Sequence, residues 1–318
     1  MEIENLLKKL KEKDRVTLAK IITLVDNETP EGIEFLKRYY KERKESFRIG
    51  ITGPPGVGKS TLVNKLVERF AKRYNHLSVL AVDPSSPFTG GAILGDRLRM
   101  DNLYKFDNVY MRSVASRGSL GGLSSSTENI LQVLEIFGTD LILVETVGVG
   151  QSELDVMEIT DLVMVVLVPE SGDSIQAMKA GIMEIGDIFV VNKSDREGAE
   201  KTSEYLKSIL QMKTRDKEII PPVINVSAKD DHNIDKLVEE IERVKKMFIE
   251  NGIVERKRKT RKNKEVRDIL RDMFIKSIDR ELKIIENTKD RDISPYEISE
   301  KIFRKIDLKS LEDIWKEK

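Results

Sequence analysis

The chain has 318 residues, of which 39% are hydrophobic and 35% charged; 55 basic residues balance 55 acidic ones, and cysteine is absent. This length supports one large core, alone or with smaller helical additions, and zero net charge supplies no global field for nucleic acid. No apolar run is long enough to span a membrane, and two well-separated histidines without cysteine argue against structural zinc or a histidine-based hydrolase.

Residues 1–45 read as a helical prefix. Ile3, Leu6, Leu7 and Leu10 recur at helix spacing, as do Val16, Ala19, Ile22 and Val25. Pro30 opens a third helix with Ile33, Leu36 and Tyr40 on one face. The lysine- and glutamate-rich stretch Met1 to Lys13 lacks the apolar core of a signal peptide. High ion-pair capacity without cysteine fits a reducing or very hot compartment, and the expected location is cytoplasmic.

From 46 to 250 the pattern alternates. Expected strands are Phe47 to Thr52, Leu77 to Val82, Asn108 to Met111, Leu141 to Glu145, Leu162 to Val168, Ile188 to Val191 and Val223 to Val226. Helical periodicity fills most gaps between them. Continuous apolar runs of this kind suit strands covered on both faces, so the fold class is α/β with a mostly parallel sheet. Phosphate chemistry then belongs beyond the carboxyl ends of the strands.

The first strand leads into Gly53-Pro54-Pro55-Gly56-Val57-Gly58-Lys59-Ser60-Thr61, followed by a helix with Leu62, Val63, Leu66, Val67 and Phe70 on one face. Strand, glycine loop and helix together make a phosphate-binding P-loop. Backbone N–H groups of Gly56, Val57, Gly58 and Thr61 and the helix start face the phosphates, Lys59 meets the β- and γ-phosphates, and Ser60 ligates Mg2+.

Asp83 ends the second strand and opens Asp83-Pro84-Ser85-Ser86-Pro87, and Asp96 lies in the glycine-bracketed run Gly90 to Arg97. Each acid has two readings: a group near the metal or the attacking water, or a helix cap or surface turn. Gly118 to Ser124 is a glycine loop without the Lys-Ser pair, read as a packing point or part of a partner surface. The fourth strand ends at Glu145, followed by Thr146-Val147-Gly148-Val149-Gly150-Gln151. Glu145 takes the place of the metal-side aspartate of a D-x-x-G switch, and Gly148 donates its N–H to the γ-phosphate. Val149 cannot position an attacking water, which predicts slow hydrolysis unless a partner completes the site.

Asn192-Lys193-Ser194-Asp195 follows the sixth strand. Asp195 accepts from guanine N1–H and the exocyclic amine, whereas adenine offers neither donor there. Asn192 bonds the base edge or braces neighbouring loops, and the Lys193 stem lies along the ring. Ser227-Ala228-Lys229 ends another strand, and the Ala228 N–H faces guanine O6. The expected ligands are therefore GTP or GDP with Mg2+.

A helix over Ile234 to Ile249 closes this unit, and residues 251–318 read as a helical extension. Its start, Arg256 to Lys264, holds seven basic residues in nine. Nucleic acid or an acidic surface is one reading, but a solvated helix face is favoured because no aromatics interleave. Ser294-Pro295 reads as the capped start of a last helix.

The P-loop, Val82 to Pro87, Gly90 to Arg97, Arg117-Gly118 with Leu120 to Leu123, Glu145 to Glu153, Gly172-Asp173 with Gln176, and Asn192 to Asp195 resemble, in order, the MeaB/ArgK family of P-loop GTPases. These are the G-protein chaperones of adenosylcobalamin-dependent acyl-CoA mutases, formerly labelled LAO/AO transport system kinases. Gly186-Asp187 stands where the family often has Ala-Asp. The resemblance implies a SIMIBI-type GTPase fold with low intrinsic activity stimulated by the mutase, by family habit methylmalonyl-CoA mutase. It implies protection and cofactor gating of that enzyme, and a homodimer built through the C-terminal extension, with no membrane or nucleic-acid partner. Ser60, Asp83, Asp96 and Glu145 would surround Mg2+ and water, with Lys59, Asp96, Glu145 and Gly148 in catalysis. Gly172 to Lys193, with Asp173, Gln176 and Lys179, would be an additional switch. A nickel-type metallochaperone lacks its Cys/His site here, and an amino-acid-transport kinase shows no separate kinase site.

Overall fold

Seven strands form one sheet in the order β3-β2-β4-β1-β5-β6-β7, and every pairing is parallel. They are β1 (Phe47–Thr52), β2 (Leu77–Asp83), β3 (Val109–Ala115), β4 (Leu141–Thr146), β5 (Leu162–Leu167), β6 (Ile188–Val191) and β7 (Val223–Asn225). This computed structural model describes residues 3–83, 105–115, 125–146, 152–169, 183–213, 220–286 and 294–305.

Alternation along the strands sorts side chains into two cores. Ile49, Ile51, Leu141, Leu143, Met164 and Val190 face α4 (Lys59–Phe70) and α8 (Ile234–Glu250). Ile142, Val144, Val163, Val165 and Val191 face the other layer, which includes α5 (Ser125–Ile136), α6 (Ser152–Ile159) and α7 (Ala199–Lys213). Both faces are covered, so the central strands β1, β4, β5 and β6 are buried at every position.

The edge strand β3 departs from expectation. It begins at Val109 and runs on to Ala115, because its middle residues Met111, Arg112 and Ser113 are only half-buried and break the apolar signal. Asn108 stays outside the strand, where its amide donates to the carbonyls of Ala71 (2.7 Å) and Tyr74 (2.8 Å).

The prefix forms α1 (Ile3–Lys11), α2 (Arg15–Asp26) and α3 (Pro30–Tyr39), packed on α5. Asp14 caps α2 through the N–H groups of Val16 and Thr17. Two predicted faces are displaced. In α2 the core takes Leu18, Ile21, Ile22 and Val25, while Val16 is 78% exposed. In α3 the inward pair is Phe35 and Tyr39, their rings edge-to-face at 5.1 Å, rather than Ile33 and Tyr40.

The C-terminal part contains α9 (Ile253–Glu286) and α10 (Pro295–Lys305). Ser294 and Glu297 form the reciprocal cap expected before Pro295: the Ser294 N–H donates to Glu297, and the Glu297 N–H to the Ser294 hydroxyl. The basic run at the start of α9 is only in part the solvated face expected: Arg256, Lys259 and Lys262 are exposed, but the other basic residues turn inward. Lys257, Arg258 and Arg261 turn onto Asp161 and Asp187 at the amino-terminal rim of the sheet, and Lys264 pairs with Glu158.

Under that rim sits a buried ionic cluster. Arg48, 1% exposed, chelates Glu128 through one nitrogen at 2.8 and 2.9 Å and bonds Glu135 from Nε at 2.9 Å. Its backbone N–H donates to Asp161 at 3.0 Å. Burial pushes the Glu135 carboxyl up despite Arg48. For Asp161 the burial penalty is outweighed by Arg261, Arg258 and Arg48, which hold its carboxyl below the usual range. No described helix is long and apolar enough to cross a membrane.

Candidate nucleotide site

Strand order reverses around β1, so the carboxyl ends of β1, β4 and β6 lie along one edge of the sheet, where α/β folds hold ligands. The loop after β1 depends on glycine at two places. Gly53 has φ +138, and a Cβ there would lie 2.1 Å from the Val166 carbonyl oxygen. Gly58 caps α4 with φ +91, and its Cβ would meet the Asn192 amide nitrogen at 2.5 Å. At these two points the loop lies against β5 and the β6 exit with room only for backbone.

Lys59, 6% exposed, curls back over this loop and donates from Nζ to the carbonyls of Gly53 (2.7 Å) and Pro54 (2.9 Å). Its charge is thereby centred on the loop. The Ser60 hydroxyl, on the first turn of α4, donates to Glu145 Oε1 at 2.6 Å. Glu145 sits near the end of β4, in register with Ile51 of β1 and Ala81 of β2. Ser60 and Glu145, two of the four candidate metal ligands, are thus in contact. One hydroxyl and one carboxylate, without sulfur or imidazole, form a hard-oxygen donor set that fits Mg2+. Asp83 closes β2 on the same edge of the sheet. Its side chain, Asp96, Gly148, the Gly118 loop and the Gly172 to Lys179 run lie outside the described residues.

The residues expected to read guanine form a second cluster against the first. Asn192, 2% exposed, donates from Nδ2 to the Val57 carbonyl at 2.8 Å and accepts the Ala228 N–H on Oδ1 at 3.0 Å. It is a brace between the phosphate loop and the loop after β7, one of the two roles expected of it. Ala228, expected to face guanine O6, has its N–H on Asn192 instead. Lys193, with φ +57, crosses back to donate from Nζ to the Gly56 carbonyl at 2.8 Å. Thr61 and Lys229 stand exposed beside these loops.

Asp195 is fully exposed and accepts from the Ser227 hydroxyl at 2.9 Å. That bond, first among the causes, holds its carboxyl below the ordinary range. An ionised carboxylate at the rim is an acceptor for paired N–H donors. Asp230 also accepts from Ser227, at 2.6 Å, and sequence reasoning did not single it out. A hydroxyl has one proton, so Ser227 serves either acid at a time. The Ser-x-x-Asp spacing was the available signal. His76 packs edge-to-face on Phe137, away from the cluster, and His232 joins it through its backbone, exchanging bonds with Ser227.

The profile of the family described as "Methylmalonyl Co-A mutase-associated GTPase MeaB" matches residues 18–282. A Pyrococcus horikoshii protein named as a GTPase is 42% identical over 311 residues, covering 96% of this chain and 98% of its own. A Caenorhabditis elegans protein named as the mitochondrial methylmalonic aciduria type A homolog is 33% identical over 297 residues, covering 86% and 74%. Among solved structures, one described as an LAO/AO transport system kinase superposes with a TM-score of 0.71 at 24% identity, covering 95% of this chain and 96% of that one.

Proposed function

We infer the function from one premise: the chain belongs to the family of methylmalonyl-CoA mutase-associated GTPases. It is a Mg2+-dependent enzyme that hydrolyses GTP to GDP and phosphate. The observation that carries this reading is the contact between two clusters, Lys59 with Ser60–Glu145 on one side and Asn192 with Asp195–Ser227 on the other. One reads phosphate and the other reads the base.

In this reading the loop N–H groups and Lys59 bind the phosphates, and Ser60 and Glu145 hold Mg2+ with Asp83 and Asp96. The metal, when bound, neutralises charge between the β- and γ-phosphate oxygens. Gly148 contributes its N–H at the γ-phosphate. Asp195 selects guanine. Asn192 keeps the base loop and the phosphate loop in register, so binding at one end fixes geometry at the other. Val149 supplies no group to orient water, which leaves intrinsic turnover slow.

The biological role we assign is that of a chaperone. The protein protects an adenosylcobalamin-dependent acyl-CoA mutase and gates its cofactor loading, with hydrolysis as the signal. Family membership supports the mutase as partner. We further assign a homodimer through α9, where Val266, Leu270 and Phe274 recur at four-residue spacing and are about half exposed.

Titration of fluorescent GTP and ATP analogues with Mg2+ tests the nucleotide assignment. Wild-type protein should prefer the guanine analogue, and Asp195→Asn should reduce that preference by roughly tenfold or more. Unchanged selectivity in the variant would remove Asp195 from the base site.

A further inference from the structure

Helix α6 starts at Ser152, seven positions after Glu145, and ends at the opposite rim of the sheet. At that end it is gripped by α9. Arg261 donates from Nε to the Glu158 carbonyl at 3.2 Å and from a terminal nitrogen to Asp161 at 2.9 Å. Arg258 reaches Asp161 at 3.4 Å and the Ser46 carbonyl at 3.0 Å. Lys257 donates to the Asp161 carbonyl at 2.9 Å and to Asp187 at 3.0 Å, while Lys264 pairs with Glu158. From below, Arg48 donates to the Ile159 carbonyl at 3.2 Å. Cations at the carboxyl end of a helix meet its negative pole and its orphan carbonyls, so the grip is favourable for α6 as a whole.

Asp161 is the centre of this joint and is wholly buried. Moving α9 away from α6 would strand its carboxylate without its two α9 cations, so the two helices are tied together. On its other side α6 lies flush on β1: a Cβ on Gly50 would meet Val156 at 2.6 Å and Thr160 at 2.9 Å. α9 has space beside it. A cleft of about 300 Å³, lined in part by Ile33, Tyr40, Gln132, Ile159, Val266 and Ile269, lies between it and α3 and α5, bridged where Gln132 donates to Glu265 at 2.6 Å.

We propose that the Asp161–α9 ion cluster is a coupling joint that makes α6 and α9 move as one body. Nucleotide-dependent displacement at the start of α6 is then read out on the C-terminal helices, and contact made on those helices changes the geometry around Glu145. The coupling is reciprocal by linkage. It rests on the GTPase reading and adds to it the element through which the extension communicates with the site.

The test uses the full chain with Mg2+ and either GDP or a non-hydrolysable GTP analogue, reading amide hydrogen exchange along 253–275. Nucleotide affinities are measured in parallel. Wild-type α9 should exchange about fivefold or more differently in the two states, the lower end of ordinary coupling energies. The double variant Arg258→Ala with Arg261→Ala should lose that difference while keeping both affinities within about twofold. Arg261→Lys alone, which keeps the charge, should retain it. A purely structural role would instead raise exchange equally in both states and leave the difference intact, and that result would overturn the proposal. So would a wild-type α9 that exchanges identically with both nucleotides. Failure to bind either nucleotide would overturn the GTPase reading itself, and the joint with it.

Discussion

Gly58 shows how little freedom the site has at the level of a single residue. Its φ of +91 lies where side chains are strained, and the Asn192 amide occupies the space a methyl would need. Gly58→Ala should therefore push Asn192 off the Val57 carbonyl and loosen both clusters. The expected outcome is nucleotide affinity reduced about tenfold or more with the fold retained, measured by fluorescent-nucleotide titration and circular dichroism. Wild-type affinity in that variant would mean the brace is dispensable. At this scale the sequence was readable because the motifs are local. The phosphate loop, Ser60, and Asn192 to Asp195 carry their geometry in a few consecutive residues, and backbone rules place them. The Ser60–Glu145 contact spans 85 positions, and the sharing of the Ser227 proton between Asp195 and Asp230 links two loops. Neither is encoded in any one window.

Among the secondary-structure elements, the joint between β1, α6 and α9 is the feature that pattern reading missed. The run Arg256 to Lys264 looks like a solvated face because no acid lies within it and no aromatics interleave. Its partners Glu158, Asp161 and Asp187 lie about a hundred positions or fewer upstream and reach it only through the fold. Arg48 was hidden inside an apolar strand, where one charge carries no pattern of its own, yet it is among the largest fully buried side chains. Edge strand β3 was shortened for a related cause, since its half-buried middle broke the apolar run. These charges give a pH test. The folded-state carboxyl of Asp161 sits below its ordinary value of 3.8, so its stabilisation is fully present above that pH and is lost as pH falls through the folded value. Asp161→Asn should cost about 3 kcal/mol near neutrality, and the gap from wild type should narrow in acid below about pH 4. Thermal unfolding across pH 3 to pH 7 measures both. A gap that stays constant with pH would show that Asp161 does not act as a charge.

For the whole molecule, the parallel sheet covered on both faces follows from continuous apolar runs with helical periodicity between them, while the strand order and assembly are set by contacts that periodicity describes poorly. α9 carries a basic face turned inward at its start and an apolar stripe turned outward along its middle. If that stripe seats a second copy, Phe274→Asp should convert a dimer to a monomer in sedimentation velocity, with unfolding temperature little changed because the side chain is already about half exposed. A variant that sediments like wild type would place the contact elsewhere. The same molecule-wide view explains why slow turnover is expected from the isolated chain. The proposed site has a phosphate clamp, a metal pair and a base reader, but the sequence after Glu145 and Gly148 offers Val149, which carries no water-orienting group.

Steady-state GTP turnover by the purified full-length chain, alone and with the acyl-CoA mutase of the same cell, tests the central claim most directly. ATP and the Lys59→Ala variant serve as controls. The account predicts slow hydrolysis of GTP, none above background with ATP or in the variant, and a marked acceleration when the mutase is added. Turnover of ATP as fast as GTP, or a Lys59→Ala variant as active as wild type, would contradict the assigned site. A rate unmoved by folded mutase would contradict the assigned partner.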